Sequence, residues 1–186
     1  MTDNIITDAD ILAKFAVPET RNFAFDQLVK IYQQKVYWHI RKMVIDHDDS
    51  DDLTQETFIK VWKALDNFKG ESQLFTWIYR IATNECLNHL AKKKRRFFLP
   101  INDITEELSN KLDDIDMISG DEIQLKLQKA LLTLPDKQRL VFNMKYYDEL
   151  KYEEIADITG TSVGALKASY HLAVKKVEDH LKKSVF

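Results

Sequence analysis

DNFKGESQLFTWIYRIATNECLNHLAKKKRR, residues 66–96, is the stretch on which the reading of this chain turns. It opens with a short polar loop carrying Phe68 and Lys69, then runs on with helical periodicity. It ends in five consecutive cations, Lys92, Lys93, Lys94, Arg95 and Arg96. Leu74, Ile78, Ile81 and Leu90 recur at helical spacing and can face a core, whereas Trp77, Arg80, Asn84 and Asn88 share a different stripe of the same helix. Aromatics stack on unpaired bases, amides read base edges and cations neutralise phosphates, so this is a combination suited to unpaired nucleic acid. A core helix with a solvated basic end would also fit the stretch in isolation. The rest of the chain has to choose.

Composition narrows the choice. The chain has 186 residues, 45% hydrophobic and 31% charged, with 4 Gly and 3 Pro, which is a helix-rich composition rather than a turn-rich all-β one. The net charge is −3, so any nucleic-acid surface must be local. The single cysteine, Cys86, excludes an intramolecular disulfide and fits a reducing, cytoplasmic compartment; inside a helical run it reads as a packed thiol. The acidic N-terminus does not read as a secretory signal, and no apolar run approaches the roughly 18 residues of a membrane span, so no membrane insertion is expected. No HExxH pair, nucleophile elbow or phosphate loop is present, so neither enzymatic activity nor a cofactor or metal site is expected. The acids of residues 46–52 invite a calcium reading, but the loop lacks the Gly at its sixth position and the Glu at its twelfth.

Working outward toward the N-terminus, residues 8–15 predict a short helix and residues 21–45 a long amphipathic one with Phe25, Leu28, Val29, Tyr32, Val36 and Ile40 on one face. Residues 46–52 read as a polar connector. Residues 52–65 read as a further helix, with Asp52 and Gln55 at capping-box spacing and Phe58, Val61, Trp62 and Leu65 as its buried stripe. Gln55, Glu56, Ile59, Lys60 and Lys63 lie on its other faces; an exposed Ile59 among charges would suit a protein partner, though a single exposed apolar residue is normal.

Toward the C-terminus the composition shifts. Residues 100–122 carry eight acids and one Lys and read as a linker. It separates a first helical module (residues 1–99) from a second (residues 123–186), which has eleven Lys or Arg against eight acids. In the second module, residues 123–134 and a helix starting near Pro135 and Asp136 precede a turn at residues 148–150. YEEIADITG (152–160) is a short helix ending in glycine, and TSVGALK (161–167) begins another with Ser162 placed to cap it. Ile155, Ala156, Ile158, Val163 and Leu166 are spaced as two helices packed across a tight turn, which predicts a helix-turn-helix whose second helix enters a major groove.

With both blocks in view, the sequence resembles the extracytoplasmic-function (group 4) sigma factors of the sigma-70 family. DDLTQETFIKVWKAL resembles conserved region 2.2, FKGESQLFTWIYRIATNECLNHLAKKKRR regions 2.3 and 2.4, and residues 134–177 region 4. The resemblance implies an all-α, two-module protein that binds core RNA polymerase and directs promoter melting. It implies that Gln55, Glu56, Ile59, Lys60 and Lys63 meet the β′ clamp helices and that the second module meets the β flap. Phe68 and Asn84 match positions of a pocket for a flipped base of the −10 element. Lys69, Trp77, Arg80, Asn88 and the cations Lys92, Lys93, Lys94, Arg95 and Arg96 complete that surface. Reading of the −35 element falls to Ser162, Val163, Gly164, Ala165, Lys167, Ala168, Ser169, His171 and Lys175. The reading helix departs from the family's commonest pattern, which has several Arg there, so no particular −35 sequence is carried over. A membrane-linked anti-sigma factor is a further implied partner. A stand-alone helix-turn-helix regulator would explain residues 123–186 but would leave the first module without a role, and would ordinarily need dimer symmetry.

Overall fold

Thr7 starts the first helix. Its hydroxyl accepts the Asp10 backbone N–H at 3.2 Å, and the Asp10 carboxylate accepts the Thr7 N–H at 3.0 Å, a reciprocal capping box. From there the protein, described by a computed structural model over residues 6–97 and 122–184 (without the side chains of Arg96, Phe97 and Ser184), consists of helices and short turns. The helices are α1 (Asp8–Phe15), α2 (Arg21–Val44), α3 (His47–Ala64), α4 (Leu74–Phe97), α5 (Glu122–Leu132), α6 (Asp136–Tyr146), α7 (Tyr152–Thr159) and α8 (Val163–Ser184). The all-α expectation is met, and no strand occurs among the described residues. The acidic linker lies almost wholly outside the described residues; its last residue, Glu122, is the first of α5.

One expectation is corrected. Residues 47–52 are not a connector, and the cap is not Asp52. The Asp46 side chain accepts the Asp49 N–H at 2.9 Å, so α3 begins at His47. The reason is electrostatic: Asp48 and Asp49 in the first turn sit at the positive end of the helix dipole, where carboxylates stabilise rather than break a helix. The break between α2 and α3 is therefore only two residues long, Ile45 and Asp46. Ile45 bends the chain with φ of 66°, a region costly for a β-branched residue, and its side chain is buried.

α1 to α4 form the first module around Ile11, Phe15, Leu28, Val36, Ile40, Met43, Val61, Ile78 and Cys86, all buried. Trp62 sets an edge against both Phe15 and Phe25, at 5.2 and 4.9 Å between ring centroids, and the Arg21 guanidinium lies 4.0 Å above Phe15. Burial pushes the Cys86 thiol up to about 12, so it is an inert packed group, as its place in the sequence predicts.

α5, α6 and α8 enclose a smaller core of Ala130, Leu131, Leu134, Phe142, Ala173 and Val177. Gly160 closes α7 at φ of 67°, and the Ser162 hydroxyl accepts the Ala165 N–H at 3.3 Å. These are the turn and cap expected of the helix-turn-helix. The two modules are not separate beads. Leu140, Val141, Met144, Leu150, Ile155 and Ile158 of the second belong to the same buried cluster as Ile40, Met43 and Ile78 of the first.

Candidate nucleic-acid interface

The loop before α4 is built by three local devices. The Phe68 N–H donates to the Leu65 carbonyl at 3.1 Å and closes a single 3₁₀ turn (Leu65–Asn67). Arg21 pairs with Asp66 and ties that turn to the start of α2. Gly70 takes φ of 71°, which turns the chain toward α4. Phe68 is thereby held half-buried, 5.3 Å from the half-buried Trp77 ring at 54°. Lys69 is exposed beside it.

Along α4 the expected division of faces holds. Leu74, Ile78, Ala82, Cys86 and Leu90 are buried, whereas Ile81 is half-buried. Arg80, Asn84 and Asn88 are exposed on the stripe that Trp77 begins. Asn84 follows Trp77 by about two turns, roughly 10 Å along the axis. An aromatic wall at one end and amides farther on is a geometry able to accept bases and read their edges.

The cationic end is less uniform than its sequence suggests. Lys92 and Arg95 are exposed, with the Arg95 Nε donating to the Ala91 carbonyl at 3.3 Å. Lys93 lies 3.7 Å from Asp49, and Lys94 bonds Asp136 of the second module at 2.5 Å. The Arg96 side chain lies outside the described residues. Arg80 is also engaged: its Nε and Nη2 donate to the Asp157 carbonyl of α7 at 3.0 and 2.5 Å.

In the second module Ser162, Gly164, Ala165, Lys167, Ala168, His171 and Lys175 are exposed, and Val163 and Ser169 are half-buried. The opening turns of α8 therefore present a nearly continuous face. An added Cβ at Gly164 would meet nothing within 4 Å, so the glycine serves no internal packing and leaves the backbone open to an approaching duplex.

Residues 28–96 match the family model for Sigma-70 region 2, and residues 124–177 match that for Sigma-70, region 4. The chain is 34% identical over 168 residues to the RNA polymerase sigma-H factor of Pseudomonas aeruginosa, covering 85% of this chain and 86% of that one. The chain belongs to the extracytoplasmic-function sigma factors of the sigma-70 family. It is also 33% identical over 156 residues to the ECF RNA polymerase sigma factor SigW of Bacillus subtilis, covering 80% and 83% of the two chains. Its fold is similar to that of CnrH, solved in complex with the cytosolic domain of CnrY, with a TM-score of 0.68, 24% identity and coverage of 95% and 97%. It is similar too to the sigma factor RpoE, solved with the anti-sigma factor NepR from Bartonella quintana, with a TM-score of 0.65, 23% identity and coverage of 85% and 96%.

On this sigma factor's α3, Gln55, Glu56, Ile59, Lys60 and Lys63 are all exposed. Ile59 stands 53% exposed, high enough to be a contact residue rather than a core one. Lys60 leans back to Glu85 of α4 at 2.5 Å. Sequence reasoning missed the partners of this surface on α2. Phe25, Val29 and Gln33 join Thr54, Gln55, Phe58, Ile59 and Trp62 around a groove of about 450 Å³. The signal was present, since Phe25 and Val29 were on the apolar face of α2, but periodicity does not say which apolar residues line a groove and which fill the core.

Proposed function

We propose that this chain is a promoter-specificity subunit of RNA polymerase with no catalytic chemistry of its own. In this reading the α2–α3 groove and the Gln55–Lys63 edge of α3 dock on the β′ clamp helices of core polymerase. The loop at Phe68 and Lys69 and the outer stripe of α4 open the −10 element and hold its unpaired strand. Lys92 to Arg96 neutralise phosphates of the duplex upstream, and the start of α8 reads the −35 element, supported by the β flap. The observation that carries the reading is the α4 stripe. A helix needed only for packing has no use for a line of exposed Arg80, Asn84 and Asn88 continuing from a paired Phe68 and Trp77.

The absence of Arg from residues 162–176 puts base reading on Lys167, Ser169 and His171 and on the backbone around Gly164. No helix among the described residues is long and apolar enough to cross a membrane. In this reading the site of action is the cytoplasm, where core polymerase meets promoter DNA. An anti-sigma factor, membrane-linked as the family resemblance implies, is the partner expected to silence the chain; among the structural neighbours, RpoE was solved with the anti-sigma factor NepR and CnrH with the cytosolic domain of CnrY. The test is run-off transcription with purified protein, core polymerase and candidate promoters. Stable core binding with promoter-dependent transcripts is expected. Failure of both removes the reading, and DNA binding without core binding would favour a stand-alone regulator.

A further inference from the structure

The second module lacks the side chains that usually grip purines. Among residues 123–186 the sole arginine is Arg139, and it is buried in α6. Residues 161–186, which include α8, contain neither Asn nor Gln. Arg holds guanine at two points, and Asn and Gln do the same for adenine. Glu178 and Asp179 could accept from cytosine, but they fall in the C-terminal half of α8, away from the opening turns that enter a groove.

Two cations of the helix are drawn aside. Lys167 Nζ lies 5.7 Å from the centroid of the Tyr152 ring, and Lys145 Nζ approaches the same ring at 5.2 Å. Tyr152 opens α7, the first helix of the helix-turn-helix. That helix crosses the phosphate backbone in such motifs, so the two ammonium groups are placed for phosphates rather than bases. Lys176 turns back to α6, where its Nζ donates to Gln138 Oε1 at 3.1 Å.

The outer face of α8 carries an apolar flank instead. Successive helical residues turn by about 100°, so Ala168 lies roughly opposite the buried Leu166, Ala173 and Val177. Ala165 and Leu172 stand to one side of it, two turns apart, and Lys167 and His171 to the other. Leu172 is 49% exposed and belongs neither to the buried clusters nor to the residues packed against them. An isolated exposed leucine is ordinary on a protein surface. On a face that meets a major groove it has a chemical counterpart, the 5-methyl group of thymine, which is the apolar feature of a base edge.

We propose that Leu172, aided by Ala165, reads thymine methyl groups, so that thymines rather than guanines define the −35 element of this sigma factor. This role rests on the promoter-binding reading of α8. Two helical turns are roughly 10 Å, or about three steps of 3.4 Å along a duplex. Leu172 and Ala165 therefore address thymines about three base pairs apart. Ala168, with a single methyl, lets the helix approach the base edges. Ser169 and His171 add single hydrogen bonds, and Lys167 and Lys175 add charge toward the phosphates.

Holoenzyme assembled from the full chain and core polymerase is used to select duplexes from a promoter library randomised across the upstream element. The selected element is then remade with deoxyuridine in place of each thymidine, which deletes the methyl group and keeps the base pairing. Each methyl in contact should contribute about fourfold in affinity, the transfer value of one buried methyl group. In Leu172→Ala the penalty at one thymine should vanish, with an unchanged thermal melt because the side chain supports no core. Equal wild-type affinity for the thymidine and deoxyuridine duplexes would overturn the proposal, as would an unchanged set of penalties in Leu172→Ala. Should that variant fail to fold, the wild-type deoxyuridine series decides. Selection of an upstream element without methyl dependence removes methyl reading alone. Failure to select any upstream element removes the −35 reading of α8 with it.

Discussion

Asn84→Ala isolates the chemistry proposed for the outer stripe of α4. Asn84 is exposed and lies mid-helix, and its side chain makes no hydrogen bond to another protein group among the described residues. Its replacement should therefore move stability by no more than about 0.5 kcal/mol, and upward if at all, because alanine gains up to about 0.7 kcal/mol in helix propensity. A side chain that reads a base edge through paired hydrogen bonds contributes about 1–3 kcal/mol. At about 1.4 kcal/mol per factor of ten, its loss should slow or weaken promoter opening by about 5- to 150-fold. Core binding should be unchanged, since α3 and the α2–α3 groove are untouched. The assay follows strand opening by permanganate reactivity or 2-aminopurine fluorescence near the −10 element, alongside core affinity and a thermal melt. Unchanged opening with unchanged −10 base preference would refute the role of Asn84. Parallel losses of opening, core affinity and melting temperature would refute the claim that the side chain acts only on DNA.

Phe68→Ala should cost in two places. Loss of the ring contact with Trp77 at 5.3 Å should lower stability by about 0.5–1.5 kcal/mol, read by urea denaturation. Loss of the stacking wall should reduce opening by a further about 1–3 kcal/mol, and opening that falls no more than stability does would remove Phe68 from the base site. Among the cations, exposed Lys92→Gln should reduce the slope of log affinity against log salt by about 0.9. Lys94→Gln should change it less, because Lys94 is already paired with Asp136; equal slopes would contradict that ranking. Gly160→Ala should destabilise by about 1–2 kcal/mol through its φ alone, since an added Cβ meets nothing within 4 Å. Gly164→Ala, in open space within α8, should instead stabilise the fold by about 0.8–1 kcal/mol while weakening −35 binding, if the duplex backbone approaches closely there. Thermal melts and promoter-fragment titrations of the two variants check the pair.

The cap at Asp46 shows where a local signal was legible and misweighed. Asp46 and Asp49 stand at capping distance in sequence as plainly as Asp52 and Gln55 do, and the run of acids read as loop was a favourable first turn. The groove proposed to meet polymerase was half legible, since α3 supplied its edge and the contribution of α2 needed the packing. Cys86, Gly160 and Ser162 took the roles their neighbours imply, because each depends on residues within one or two turns.

What the chain alone determined is therefore local and periodic. The helix content, the two faces of α4 that began the reading and the helix-turn-helix all follow from spacings of three and four residues. Only the tertiary structure decided what those faces meet. Arg80 was legible as an exposed cation of the α4 stripe, but not as a donor to the Asp157 carbonyl 77 residues away. His39, Arg139 and Asn143 read as ordinary members of amphipathic helices. Their partners lie 109, 96 and 101 residues distant and are, for the last two, backbone carbonyls. A carbonyl is the same group at every position, so a bond to it leaves no mark in the sequence at its accepting end.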